Sequence, residues 1–220
     1  MSRRDEAAET LTSDNAALVL IDHQVGLMRV VRDMRLQEAR NNILGLARSA
    51  RTLGVPAVLT SNMEWGVNGR VLPGLRRIFA DCDIIGRSGV VNAYHWPAFR
   101  EAVAATGRRN IILAGVTTST GLLFAALDMA RDGYAVHAVI DASGAESVVA
   151  RDMAVAALLD AGVRARTWFS VIMEVLGDWQ RDLDAGSPLA FGAIHDHLPA
   201  WGDLLDHAID QADYVAEAAT

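Results

Sequence analysis

Asp22 closes the apolar run ALVLID, Arg87 closes CDIIGR, and the turn Thr117–Gly121 follows NIILAGV. An acid, a guanidinium of fixed charge, and a row of hydroxyls and backbone N–H groups around one cleft can move a proton and hold a developing negative charge. Each residue also has a plainer reading. A carboxylate after a strand caps a helix or pairs with an arginine, and Arg87 pairs with any nearby acid. Ser119 and Thr120 read as helix N-cap residues rather than nucleophiles. Gln24 follows Asp22, and Met63, Glu64 and Trp65 follow a second apolar run, PAVLTS. Together with Tyr94, Trp96, Phe124, Thr117, Thr118 and Ser119 they form the candidate substrate-binding set. The aromatic members serve either as pocket walls or as subunit contacts, and a mostly apolar pocket of this kind suits a ring-bearing small molecule.

These residues need a scaffold that brings them to one rim. The short apolar runs at 17–22, 56–61, 82–87, 110–116, 134–143 and 163–169 suit strands covered on both faces. Between them stand helical patterns, EARNNILGLARSARTLG, WPAFREAVAATG, GLLFAALDMARDG and SVVARDMAVAALLDAG, each ending in glycine. Such alternation predicts a three-layer α/β/α, Rossmann-like domain with a doubly wound sheet of about six parallel strands. In such sheets ligands bind beyond the carboxyl ends of the strands, where strand order reverses. The organisation expected is an N-terminal extension over 1–14, one domain over 15–182, and a C-terminal loop and helix over 183–220, the helix packing on its own or a neighbouring subunit. Leu204, Leu205, Ile209 and Tyr214 form its apolar stripe.

Composition narrows the class. A chain of 220 residues with 51% hydrophobic residues buries a large core, and a net charge of -7 argues against a nucleic-acid partner. The N-terminal MSRRDEAAET lacks the apolar stretch of a signal peptide, and no apolar run is long enough for a membrane span. A soluble, cytoplasmic protein without membrane association is expected. The single cysteine, Cys82, reads as a small buried hydrophobe at the start of the third strand. His23 and His95 lack the spacing of a closed metal site, and the glycines of 115–121 make no dinucleotide fingerprint, so neither metal nor cofactor is expected.

The segments ALVLIDHQVGLMRVVRD, TSNMEWGVNGRVLPGL, GRSGVVNAYHWPAFREAVAATGRRNIILAGVTTSTGLLFAALD and VIDASGA together resemble the isochorismatase-like hydrolases, in particular the YcaC-like branch, over roughly residues 15–205. The resemblance implies a six-stranded parallel sheet, a homo-oligomer, and a cis peptide between Val116 and Thr117. It also implies three catalytic positions. The family's acid after the first strand falls on Asp22 and its lysine or arginine after the third on Arg87. Its cysteine at the helix start after the fourth falls on Gly121, with Ser119 and Thr120 where the family has an acid and an apolar residue.

A thioester route needs a thiolate, which Gly121 cannot supply. Thr120, one residue earlier, points about 100° away on a helix start. The resemblance offers a different route, since true isochorismatases resemble this chain in having glycine there and cleave a vinyl ether with the acid alone. Asp22 is therefore expected to act in noncovalent hydrolysis of a vinyl ether, cyclic amide or amide. It serves either as a base, with turn N–H groups holding the oxyanion, or as an acid, with a substrate carboxylate occupying Arg87. The alternatives are a catalytically silent binding or scaffolding homologue and a cysteine amidohydrolase inactivated at Gly121. Two charged groups facing one cleft favour the hydrolase.

Overall fold

A computed structural model describes residues 9–218, so most of the expected extension over 1–14 lies outside the described residues. The strands are β1 (Ala16–Ile21), β2 (Ala57–Asn62), β3 (Ile84–Arg87), β4 (Asn110–Gly115), β5 (Ala135–Val139) and β6 (Arg164–Arg166). The helices are α1 (Leu36–Thr52), α2 (Pro73–Ile78), α3 (Pro97–Ala105), α4 (Leu123–Arg131), α5 (Val148–Asp160), α6 (Trp168–Leu176), α7 (Trp179–Asp184), α8 (His195–His197) and α9 (Pro199–Ala218). All strand pairs are parallel, in the order β3-β2-β1-β4-β5-β6. The predicted sheet is therefore present, strand for strand.

The central strands show why continuous apolar runs form it. Every residue of β1 and β4 is buried. Leu18 and Leu20 join one core with Ile43 and Leu46 of α1 and Trp168 and Ile172 of α6. Their neighbours Ala17, Val19 and Ile21 join the opposite core with Phe99 of α3 and Ala126 and Met129 of α4. Each strand residue thus meets a helix whichever way it points, which excludes polar alternation. Strand order reverses between β1 and β4, and the register Ile21↔Gly115 sets their carboxyl ends level. That register places Asp22 and the 117–121 turn beside each other at the point where ligands bind in sheets of this kind.

The boundaries shift by one or two residues at most strands, with the third starting at Ile84 rather than Cys82, and differ most at two. The fifth run ends at Val139, because Ile140–Ala142 winds into a 3-10 turn. The sixth ends at Arg166, because Thr167 caps α6 and Asp141 Oδ1 accepts the Trp168 N–H at 2.7 Å. Helix capping outweighs the apolar dipeptide that extends the run.

Beyond α7, the buried carboxylate of Asp182 accepts the N–H groups of Leu189 and Ala190 at 2.8 and 2.9 Å and folds the 185–194 segment onto the domain. Trp201 packs against Phe169 and Trp179, but Leu204, Ile209 and Tyr214 of α9 are exposed. The apolar stripe of α9 therefore does not pack on its own domain. Among the described residues no helix is long and apolar enough to cross a membrane.

Two buried histidines link the fold to pH. Burial lowers His23 to about 4 from an ordinary 6.5. His137 is lowered to about 4 as well, first by burial and then by the Arg164 and Arg166 guanidiniums beside its ring. A histidine kept neutral by the fold adds stability above its unfolded pKa and loses it as pH falls from about 6.5 toward 4. Burial raises Asp141 to about 6, so that carboxyl works in the opposite sense over the same window. The contribution of His137 is therefore isolated by difference. Between pH 7 and 4.5, urea unfolding of His137→Gln should show a loss of stability smaller than that of the unaltered protein by roughly 2 to 3 kcal/mol.

Candidate active site

Asp22 leaves β1 with φ 57°, a left-handed conformation that aspartate tolerates better than most residues. Its N–H donates to Thr60 O on β2 at 3.0 Å, and its carbonyl accepts the Gln24 N–H at 2.7 Å. This tight turn holds the carboxylate against β3, where Arg87 is the last residue. Nη2 of Arg87 donates to Oδ1 of Asp22 at 2.5 Å and also to Oδ2. Nε donates to Thr60 Oγ1 at 3.1 Å, and Nη1 donates to the carbonyl of Val90. The guanidinium is thus engaged at all three nitrogens, and its side chain is 0% exposed against 7% for Asp22. Arg87 binds a substrate anion only by releasing Asp22. Burial raises the Asp22 carboxyl above the ordinary carboxylate pKa, and the Arg87 hydrogen bond and charge pull it back. The effect anticipated from the arginine is present, but the larger one is desolvation.

Gly121 lies in a π-helical turn, Thr118–Leu122, that precedes α4. The Val116–Thr117 peptide is cis, as the resemblance implies. A Cβ built on Gly121 would meet Val116 O at 3.4 Å and Ile21 Cγ2 at 3.7 Å, ordinary contacts beside the end of β1. A small side chain fits there. The Thr118 N–H donates to Gly144 O at 2.8 Å, and those of Thr120 and Leu122 donate to Thr117 O at 3.3 and 3.1 Å. Among the described residues no group outside the turn accepts from the N–H of Ser119 or Gly121. Ser119 is partly exposed, whereas Gly121 is buried in the turn.

The hydroxyls are not helix caps. Ser119 Oγ donates to both carboxylate oxygens of Glu146, at 2.9 and 2.8 Å, and the Thr117 and Thr120 hydroxyls lie 2.6 Å apart. Thr118 is fully buried. Glu146 went unread in the sequence because β5 separates it from Ser119, and no local spacing signals the pair.

The structure divides the candidate binding set. Met63, Glu64 and Trp65 share one cleft of about 460 Å³ with Arg70, Arg76 and Arg87. Gln24 is not a ligand-facing group: it is 0% exposed. Its amide clamps the loop after β2, donating to Asn62 O at 3.0 Å and Gly69 O at 2.5 Å and accepting the Asn62 N–H at 2.9 Å. Tyr94 lies away from that cleft: it packs in the α3–α4 core, its hydroxyl donates to Asp132 at 2.9 Å, and it lines a separate pocket with Arg108 and Arg109. Trp96 packs against the same core, and Phe124 stands half exposed on α4. Cys82 is partly exposed rather than buried and lines the cleft of Met63 and Trp65. Burial and the neighbouring Asp81 carboxylate raise its pKa, so it stays a thiol. His23 is buried with Nε2 on Ala142 O at 3.0 Å, while His95 is exposed and faces Asp128 at 2.9 Å.

The family model described as the isochorismatase domain matches residues 16–169. The probable hydrolase YcaC of Escherichia coli K12 is 36% identical over 195 residues, covering 89% of this chain and 92% of the relative. A solved structure of E. coli YcaC, described as an octameric hydrolase of unknown specificity, superposes with a TM-score of 0.88 at 34% identity, covering 94% of this chain and 99% of that one. YcaC from Pseudomonas aeruginosa, solved with hexane-2,5-diol and covalent acrylamide, gives 0.87 at 36% identity over 92% and 98%. With the matched sheet, strand order and span, the chain belongs to the isochorismatase domain family.

Proposed function

We propose that this chain is a hydrolase of a small, ring-bearing metabolite that works without a covalent intermediate, with Asp22 as its acid/base group. The observation that carries the reading is the buried Asp22–Arg87 pair set beside a helix turn whose Gly121 leaves main chain and space where a nucleophile would stand. The relative named a probable hydrolase supports the reaction class. The two opposed influences on Asp22 suit an acid/base group, since burial raises its affinity for a proton and Arg87 keeps the charged form available. Because Arg87 is fully engaged, the base role needs the least rearrangement. Asp22 takes a proton from the attacking water, and the Ser119 and Gly121 N–H groups receive the developing oxyanion. The octameric relative and the exposed stripe of α9 support assembly of several copies.

The test is a panel of vinyl ethers, cyclic amides and simple amides assayed with the purified protein and with Asp22→Asn. Turnover of at least one class should fall by about 10²- to 10⁴-fold in the variant, with circular dichroism unchanged. Absence of turnover across the panel, with ligand binding indifferent to Asp22→Asn, would assign the chain to the binding proteins instead. Arg87→Met, which strands a buried carboxylate, should cost about 3 to 5 kcal/mol of stability by urea unfolding. Gly121→Cys should fold normally and react with acrylamide faster than Cys82 does, read by mass spectrometry after digestion. An inert thiol at position 121 would remove Gly121 from the site.

A further inference from the structure

The cleft that holds Met63 and Trp65 lies on the other face of the sheet from the ion pair. Side chains alternate along β2 and β3, so Leu59 and Ile84 face the α1–α2 core while Val58 and Ile85 face the α3–α4 core. By the same alternation Ser61 and Gly86 look into the cleft, whereas Thr60 and the guanidinium of Arg87 turn away from it toward Asp22. A Cβ built on Gly86 meets nothing within 4 Å, so the floor of the cleft is open main chain of an edge strand. The volume, about 460 Å³, is that of a small-molecule site.

Its charges are unusual. Arg76, half-buried on α2, and Arg70 on the preceding loop both line the cleft, and neither guanidinium makes an ion pair or a hydrogen bond among the described residues. A half-buried guanidinium with no acid forgoes part of its hydration without compensation, which a bound anion restores. Glu64 and Asp83 also line the cleft, but Glu64 Oε1 accepts the Val71 N–H at 3.4 Å and neither acid lies within ion-pair distance of Arg70 or Arg76. Met63, Ile84 and the largely exposed Trp65 supply apolar wall beside the two cations.

The geometry points to a second ligand site, separate from the Asp22 centre, that binds a small organic carboxylate with a flat apolar body, its oxyanion held by Arg76 and Arg70 and its body lying against Trp65 and Met63. The site owes nothing to the hydrolytic reading and stands if that reading fails.

Benzoate, benzamide, benzylamine and inorganic phosphate, titrated into the full chain and followed by calorimetry and by NMR shifts of the Trp65 indole, test it. Benzoate should bind saturably at millimolar concentration, with benzamide and phosphate about tenfold weaker. Arg76→Gln and Arg76→Ala should each weaken benzoate about tenfold, Arg76→Lys less, all with unchanged thermal unfolding, while Asp22→Asn leaves binding as it was. Three results would overturn the proposal. They are no saturable benzoate binding, binding abolished by Asp22→Asn, which would put the anion at the ion pair, and preference for benzylamine, which would make Glu64 and Asp83 the recognition groups.

Discussion

A carboxylate and a guanidinium almost withdrawn from water are stable only while they hold each other, and the Asp22–Arg87 pair imposes that condition on three strands at once. Asp22 follows β1, Thr60 on β2 supports both members, and Arg87 ends β3, sixty-five residues along the chain from its partner. Breaking either member leaves an uncompensated buried charge. The parallel register of β1, β2 and β3 is therefore both cause and consequence of the site, because a one-residue slip would turn Arg87 to the opposite face.

Much of this is legible in the sequence. Continuous apolar runs bounded by helical patterns identify a parallel sheet, because strands covered on both faces need apolar residues at every position. The positions of Asp22 and Arg87 at strand ends followed from the same periodicity. Other features depend on partners far away in sequence. Gln24 has the composition of a binding residue and the job of a brace, and only the carbonyls of Asn62 and Gly69 reveal which. Tyr94 lines a pocket, but one shared with Arg109 and Asp132 rather than with Met63 and Trp65, and Asp132, from beyond α4, decides that placement. The Ser119–Glu146 contact crosses an entire strand.

The turn after β4 is shaped by its main chain. It carries Ser119, Thr120 and Gly121 on a π-helical turn that follows the cis Val116–Thr117 peptide. A nearby carboxylate is also present, brought to Ser119 by Glu146 from the loop beyond β5. Backbone bonds to Thr117 and to the adjoining Gly144 loop hold this turn, with Thr118 N–H donating to Gly144 O.

The location of Arg87 has a thermal consequence. β3 is a four-residue edge strand with one open side, where Ile84 and Ile85 are partly buried and Gly86 is exposed, whereas β1 and β4 are buried throughout. Short margins of a sheet open at lower free energy than its centre. On warming, this margin and its guanidinium would loosen from Asp22 while the central strands β1 and β4 still stand.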